Sequence, residues 1–154
     1  YLLEKKYNWH GIAIEPNPFF FKKLQKNRDC ICINQCIDSE QKELSFLCNG
    51  ATGHILSQCN KTPLNKTITI KANTLESLLD QLNAPPIINY LSLDVEGNEY
   101  NVLKNFPFNR YRIEIMTIER PSSKLHSLLL NHHYTFIKKL QEDSCYIHQS
   151  ITIK

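Results

Sequence analysis

Four short apolar runs in this chain stop at an acid or just before one. Gly11-Ile-Ala-Ile leads into Glu15, the run from Cys30 to Ile37 is followed by Asp38, Ile87–Leu93 leads into Asp94, and Arg112–Ile118 leads into Glu119. Each run has the length of a strand. Stretches with helical spacing stand among them, at residues 19–27, 74–82, 97–105 and 122–131. Strands alternating with helices predict parallel pairing, because parallel neighbours need a crossover and a helix supplies it. The C-terminal ends of parallel strands open onto one edge, which is where α/β sheets hold ligands. The four acids are therefore expected together on that edge. The expected fold class is α/β, a mainly parallel sheet with helices on both faces. Tyr134–Leu140 and Tyr146–Ile153, joined by Gln141-Glu-Asp-Ser144, add a C-terminal antiparallel hairpin.

The rest of the chain fits one domain spanning residues 1–154, with no internal repeat or second-domain boundary. Residues 1–8 have the spacing of an amphipathic helix. Glu43–Cys48 and Thr67–Lys71 read as an antiparallel pair around a polar loop, Asn49–Asn65, that holds Gly50, Gly53 and His54. No apolar run approaches the ~18 residues of a membrane span, and Tyr1-Leu-Leu-Glu-Lys-Lys has no signal-peptide layout. That segment reads as the middle of a helix, so the chain is expected to begin inside a longer gene product. The expected location is cytoplasmic.

Formal charge is +3, and the basic residues are scattered in short pairs such as Lys22-Lys23 and Lys138-Lys139. Nucleic-acid binding, which needs a clustered basic stripe, is not expected. The six cysteines, Cys30, Cys32, Cys36, Cys48, Cys59 and Cys145, form no CxxC pair, and no histidine stands at zinc-finger spacing. No metal site is expected, and the thiols read as free in a reducing compartment. Cys30, Cys32 and Cys36 have the same parity and would share one face of a single strand. Asn60 and Asn65 open Asn-x-Thr sequons, which matter only in a secreted protein.

Among the acids, Glu15 stands before a proline turn, where nucleotide-type folds place a carboxylate that accepts from two ribose hydroxyls. Its structural alternative is an acid favoured by the N-terminus of the following helix. Asp94 and Glu96 lie two residues apart around a turn, and paired carboxylates can divide the roles of acid and base. Glu99 suits the helix dipole better. Glu119 is either a site residue or an ion-pair partner of Arg120. His54 reads as a solvated loop residue, and His132-His133 as the end of a helix.

Three segments together carry a resemblance: Trp9-His-Gly-Ile-Ala-Ile-Glu15-Pro16-Asn17-Pro18, Asn34-Gln-Cys-Ile37, and Leu91-Ser-Leu-Asp94-Val-Glu96-Gly97-Asn-Glu99. They resemble the FkbM-type methyltransferases over nearly the whole chain. The resemblance implies a Rossmann-like methyltransferase fold that uses S-adenosylmethionine to methylate a hydroxyl of a sugar, glycan or other small-molecule acceptor. It implies cofactor contacts at Glu15, Asn17, Ile37, Asp38 and Asp94, with Glu15 on the ribose, Ile37 and Asp38 beside the adenine, and Asp94 near the sulfonium end. Asp94, Glu96 and Glu119 are the implied catalytic residues. The family's first strand and glycine-rich turn have no counterpart in this chain, whose glycines are Gly11, Gly50, Gly53 and Gly97, so the fold is expected to lack that strand. His133 stands where glycine is common. A catalytically inactive remnant or interaction module is the alternative reading. A dinucleotide-dependent oxidoreductase would share the logic of Glu15 and leave the acids around Asp94 unexplained.

Overall fold

The computed structural model describes residues 1–48, 54–55 and 67–151. Cys59, Gly50, Gly53 and the sequons at Asn60 and Asn65 lie outside the described residues. The chain forms two compact units, residues 1–36 with 41–73, and residues 37–40 with 74–154.

In the first unit, helix α1 (Leu2–Tyr7) closes on Asn8 in the left-handed conformation at φ 55°. Glu4 of α1 takes a hydrogen bond from the Arg28 guanidinium and another from the Asp29 amide, and Lys5 pairs with Asp29. Strand β1 (Ile12–Ile14) pairs in parallel with β2 (Ile31–Ile33), Ala13 facing Cys32, with α2 (Pro18–Asn27) as the crossover. The helix begins one residue before its expected start at Phe19. Pro18 stands at the first turn, and the Asn17 side-chain Oδ1 accepts from the Phe19 amide at 3.0 Å. Strand β3 (Cys36–Ile37) opens a second sheet in the order β3-β6-β4-β5, with β4 at Lys42–Leu47, β5 at His54–Ile55 and β6 at Thr67–Asn73. The β4–β6 pair is antiparallel, as expected, with Phe46 opposite Ile68. Cys36, Phe46, Ile70 and Ala72 form the buried centre.

The run from Cys30 to Ile37 is thus two strands in two sheets, where the sequence predicts one. Asn34 breaks it. Its side-chain amide donates to the backbone carbonyls of Glu15 at 2.8 Å and Pro16 at 2.9 Å, which draws the chain out of the extended ladder.

In the second unit, the sheet order is β7-β8-β10-β9, made of Ile87–Leu93, Arg112–Glu119, Asp143–His148 and Tyr134–Leu140. β7 and β8 are parallel, and β10 is antiparallel to both of its neighbours. The expected hairpin is present, but Leu140 already faces Asp143, so the turn is only Gln141-Glu142 and β10 starts three residues earlier than its apolar pattern does. The expectation of a mainly parallel sheet gives way to a mixed one. A two-residue connection can join only antiparallel strands, and β10 also pairs antiparallel with β8 on its other side.

Three helices accompany this sheet: α3 (Leu75–Gln81), α4 (Glu99–Leu103) and α5 (Ser123–Asn131). Thr74 caps α3 at the Ser77 amide, and Ser122 caps α5 at the Leu125 amide. Leu125 and Leu129, one turn apart, are fully buried along with Ile113, Met116 and Ile118. Each such side chain contributes about 1.5–3 kcal/mol by leaving water. His126 of α5 bonds to the Tyr146 hydroxyl at 3.0 Å, so α5 covers the face on which Tyr146 stands opposite Met116. His132 ends α5 as expected, and His133 follows at φ 65°, the left-handed position that glycine adopts without strain. No helix among the described residues is long and apolar enough to cross a membrane.

Candidate active site

The parallel register of β7 and β8 places Leu93 opposite Ile118, so Asp94 and Glu119 leave adjacent strands side by side. Their carboxyls hydrogen-bond to each other. The hydrogen bond to Asp94, burial, and the charges of Asp94 and Glu96 push Glu119 up to about 7, against the opposing pull of Arg120. Its side chain is 17% exposed, whereas those of Asp94 and Glu96 are open to solvent.

Arg120 organises the rear of this pair. Its guanidinium lies 3.1 Å from Glu119 and 3.3 Å from Glu142, and its amide donates to the Glu142 carbonyl at 3.0 Å. Both carboxylates hold the guanidinium protonated, above its ordinary range. The ion pair weighed for Glu119 at the sequence level is therefore present together with the carboxyl pair. Asp143 faces Glu119 directly across β10.

The turn after β7 is built by Glu99 and by two left-handed residues, Glu96 at φ 54° and Gly97 at φ 94°. Buried Glu99 accepts from the amides of Val95 at 3.2 Å and Gly97 at 3.0 Å, so its carboxylate serves the turn and the start of α4. Asn98 then reaches back to the end of β3. Its amide donates to the Ile37 carbonyl at 3.4 Å and to Asp38 Oδ1 at 3.2 Å, and its own oxygen accepts from Asn101 at 2.7 Å. Asp38 Oδ1 also takes the Ser39 amide at 2.7 Å, and both Ile37 and Asp38 are buried.

Glu15 and Asn17 form a separate group in the first unit. The Glu15 amide extends the β1–β2 ladder by donating to Ile33, and Glu15 Oε1 accepts from the Asn17 amide at 2.7 Å. The Asn17 side chain is buried and caps α2. Glu15 follows β1, Asp38 follows β3, and Asp94 with Glu119 follow β7 and β8, in three different sheets. Within the second unit the structure brings Asp94 and Glu119 into contact, sets Glu96 on the adjoining turn, and ties Asp38 to that turn through Asn98.

Sequence reasoning assigned no role to Asn98, Asn34 or Glu142. Asn98 carried one signal, its place between Gly97 and Glu99 at a helix start. The pairing of Arg120 with Glu142 had none, because it depends on β10 lying beside β8. No group of three or more metal-ligating side chains occurs among the described residues.

The described residues form a mixed α/β chain with the Asp94 and Glu119 carboxyls at the ends of adjacent parallel strands. Residues 1–141 match the model of the methyltransferase FkbM domain, and the chain belongs to that family. Methyltransferase is accordingly the class of activity to which the domain belongs. No curated protein and no solved structure matches the chain significantly.

Proposed function

We propose that this Rossmann-like domain uses S-adenosylmethionine to methylate a hydroxyl oxygen of a sugar, glycan or other small-molecule acceptor, with the Asp94–Glu119 pair receiving the hydroxyl proton. The observation that carries this reading is the contact of the two carboxyls, which leaves Glu119 titrating at about 7. A base works best when its pKa lies near the working pH, and a carboxylate in its ordinary range is too weak for a hydroxyl. When bound, S-adenosylmethionine supplies an electrophilic methyl group.

The chemistry of the residues suits that cofactor part by part. Glu15 offers carboxylate oxygen to ribose hydroxyls, and the Asn17 amide on Oε1 fixes its orientation. Ile37 gives an apolar border beside an adenine, next to Asp38, which Asn98 holds in place. Exposed Asp94 is suited to a cationic sulfonium and to orienting the acceptor hydroxyl, and Glu96 on the same turn can share that second task. Removing the hydroxyl proton leaves a more nucleophilic oxygen, and alignment of that oxygen with the methyl carbon supplies much of the rate. Before that step Glu119 must be ionised, and the Arg120 guanidinium 3.1 Å away favours the ionised form.

Transfer of labelled methyl from S-adenosylmethionine to simple methyl glycosides tests the assignment. Asp94→Asn should remove transfer while leaving the circular dichroism spectrum and cooperative unfolding intact. Full turnover in that variant would overturn the role given to the pair.

A further inference from the structure

β8 carries Glu119 at one end and Arg112 at the other, about 23 Å away at ~3.3 Å per residue. The chain has four arginines, and three of them face carboxylates: Arg28 pairs with Glu4, Arg110 with Glu76 and Asp80, and Arg120 with Glu119 and Glu142. Arg112 has no ion pair among the described residues, and its Nε is buried without a hydrogen-bond partner. An uncompensated donor of this kind is costly and calls for an acceptor.

Its charge acts on Tyr134 and His148, and His148 in turn neighbours further donors. His148 of β10 stands opposite Tyr134 of β9, with ring centres 5.1 Å apart, and the His133 ring lies 6.5 Å from that of His148. The Ser150 hydroxyl is 2.8 Å from His148 Nδ1, and the Ser150 amide donates to the same nitrogen at 3.2 Å. Burial and the charges of Arg112 and His133 hold His148 below its usual range, and the Arg112 charge also acts on the Tyr134 hydroxyl. The acid two residues along β8, Glu114, is bonded to Asn89 at 2.8 Å, and His132 stacks on Phe108.

We propose that Arg112, His133, His148 and Ser150 form a binding site for a phosphate-type oxyanion, taken up as the free ion or as the phosphomonoester end of a small molecule. A guanidinium offers a planar fork matched to such an oxyanion, and imidazolium rings add charge-assisted donors. Protonation of His148 at Nδ1 releases the Ser150 amide, which with the hydroxyl can then turn to the anion. Binding and His148 protonation therefore support each other, and affinity rises as pH falls from 8 to 6. The site is independent of methyl transfer, since it shares no residue with the carboxyl pair.

Ring resonances of His133 and His148 followed by NMR from pH 5 to 8 test it in three media of equal ionic strength: chloride, inorganic phosphate and glycerol 3-phosphate. The expected result is that one or both phosphates raise the His148 midpoint by about half a pH unit or more over chloride. Response to inorganic phosphate assigns the free ion, and response to glycerol 3-phosphate at lower concentration assigns the ester. Arg112→Gln should abolish the effect. His133→Gln, at an exposed position that leaves the core untouched, should weaken it several-fold. Identical midpoints in all three media, or a phosphate response that both variants retain in full, would overturn the proposal.

Discussion

Replacing Asp94 by Asn removes one member of the carboxyl pair and puts an amide donor in its place. Glu119 titrates at about 7 instead of 4.5, with Asp94 as the leading cause. At ~1.4 kcal/mol per pH unit, that difference is a preference of about 3 kcal/mol for the protonated form. The sign follows from linkage. A carboxyl whose folded pKa is raised contributes fully below pH 4.5, and that contribution is lost as pH rises through about 7. The wild type should therefore lose stability across this window. In Asp94→Asn the like charge is gone, the new amide favours ionised Glu119, and Arg120 remains 3.1 Å away. Glu119 should then titrate in the ordinary carboxylate range. The variant should match the wild type at pH 4 and exceed it at pH 8 by up to about 3 kcal/mol. Carboxyl carbon NMR titration and urea denaturation at the two pH values measure both effects. A Glu119 still titrating near pH 7 in the variant would refute the reasoning.

Four further outcomes can be measured on the same protein. Glu99→Ala strands the Val95 and Gly97 amides and should cost about 1–3 kcal/mol in urea denaturation, with Glu99→Gln costing less because its oxygen can still accept. Ile118→Ala empties a fully buried position opposite Leu93 and should cost about 2–5 kcal/mol by the same measurement. Gln141→Gly relieves a left-handed residue at φ 56° in the hairpin turn and should raise stability by about 0.5–1 kcal/mol, seen as a higher midpoint of thermal unfolding. The Arg28 guanidinium and the Asp29 amide hold Glu4 down at about 2, so the stability that Glu4 contributes is present above pH 4.5 and lost as pH falls through about 2. Thermal melts of wild type and Glu4→Gln between pH 5 and 2 should converge.

Where the chain declared its structure, local chemistry and periodicity agreed. Arg112–Glu119 is a strand over its whole apolar run, α5 begins at its Ser122 cap, and α2 begins at Asn17-Pro18. What periodicity conceals is a long-range partner. The run Cys30–Ile37 looks continuous because only Asn34 and Gln35 are polar among its eight residues, yet the Asn34 amide bonds to carbonyls 18 and 19 residues away and divides the strand. β10 starts early because Asp143-Ser-Cys145 is held by β8, although that tripeptide has no strand pattern of its own. In the candidate site the acids were visible as strand-end residues, and the parallel neighbours β7 and β8 brought Asp94 to Glu119. The raised pKa of Glu119, the grip of Arg120 on Glu142 and the link from Asn98 to Asp38 depend on register and on side-chain direction, which spacing does not encode.

The central claim is that these residues serve S-adenosylmethionine. Isothermal titration calorimetry of the 154-residue chain with that compound tests it most directly. The account predicts saturable binding that Glu15→Ala weakens without unfolding the protein. A folded chain that releases no binding heat with S-adenosylmethionine, and none with S-adenosylhomocysteine, would contradict it.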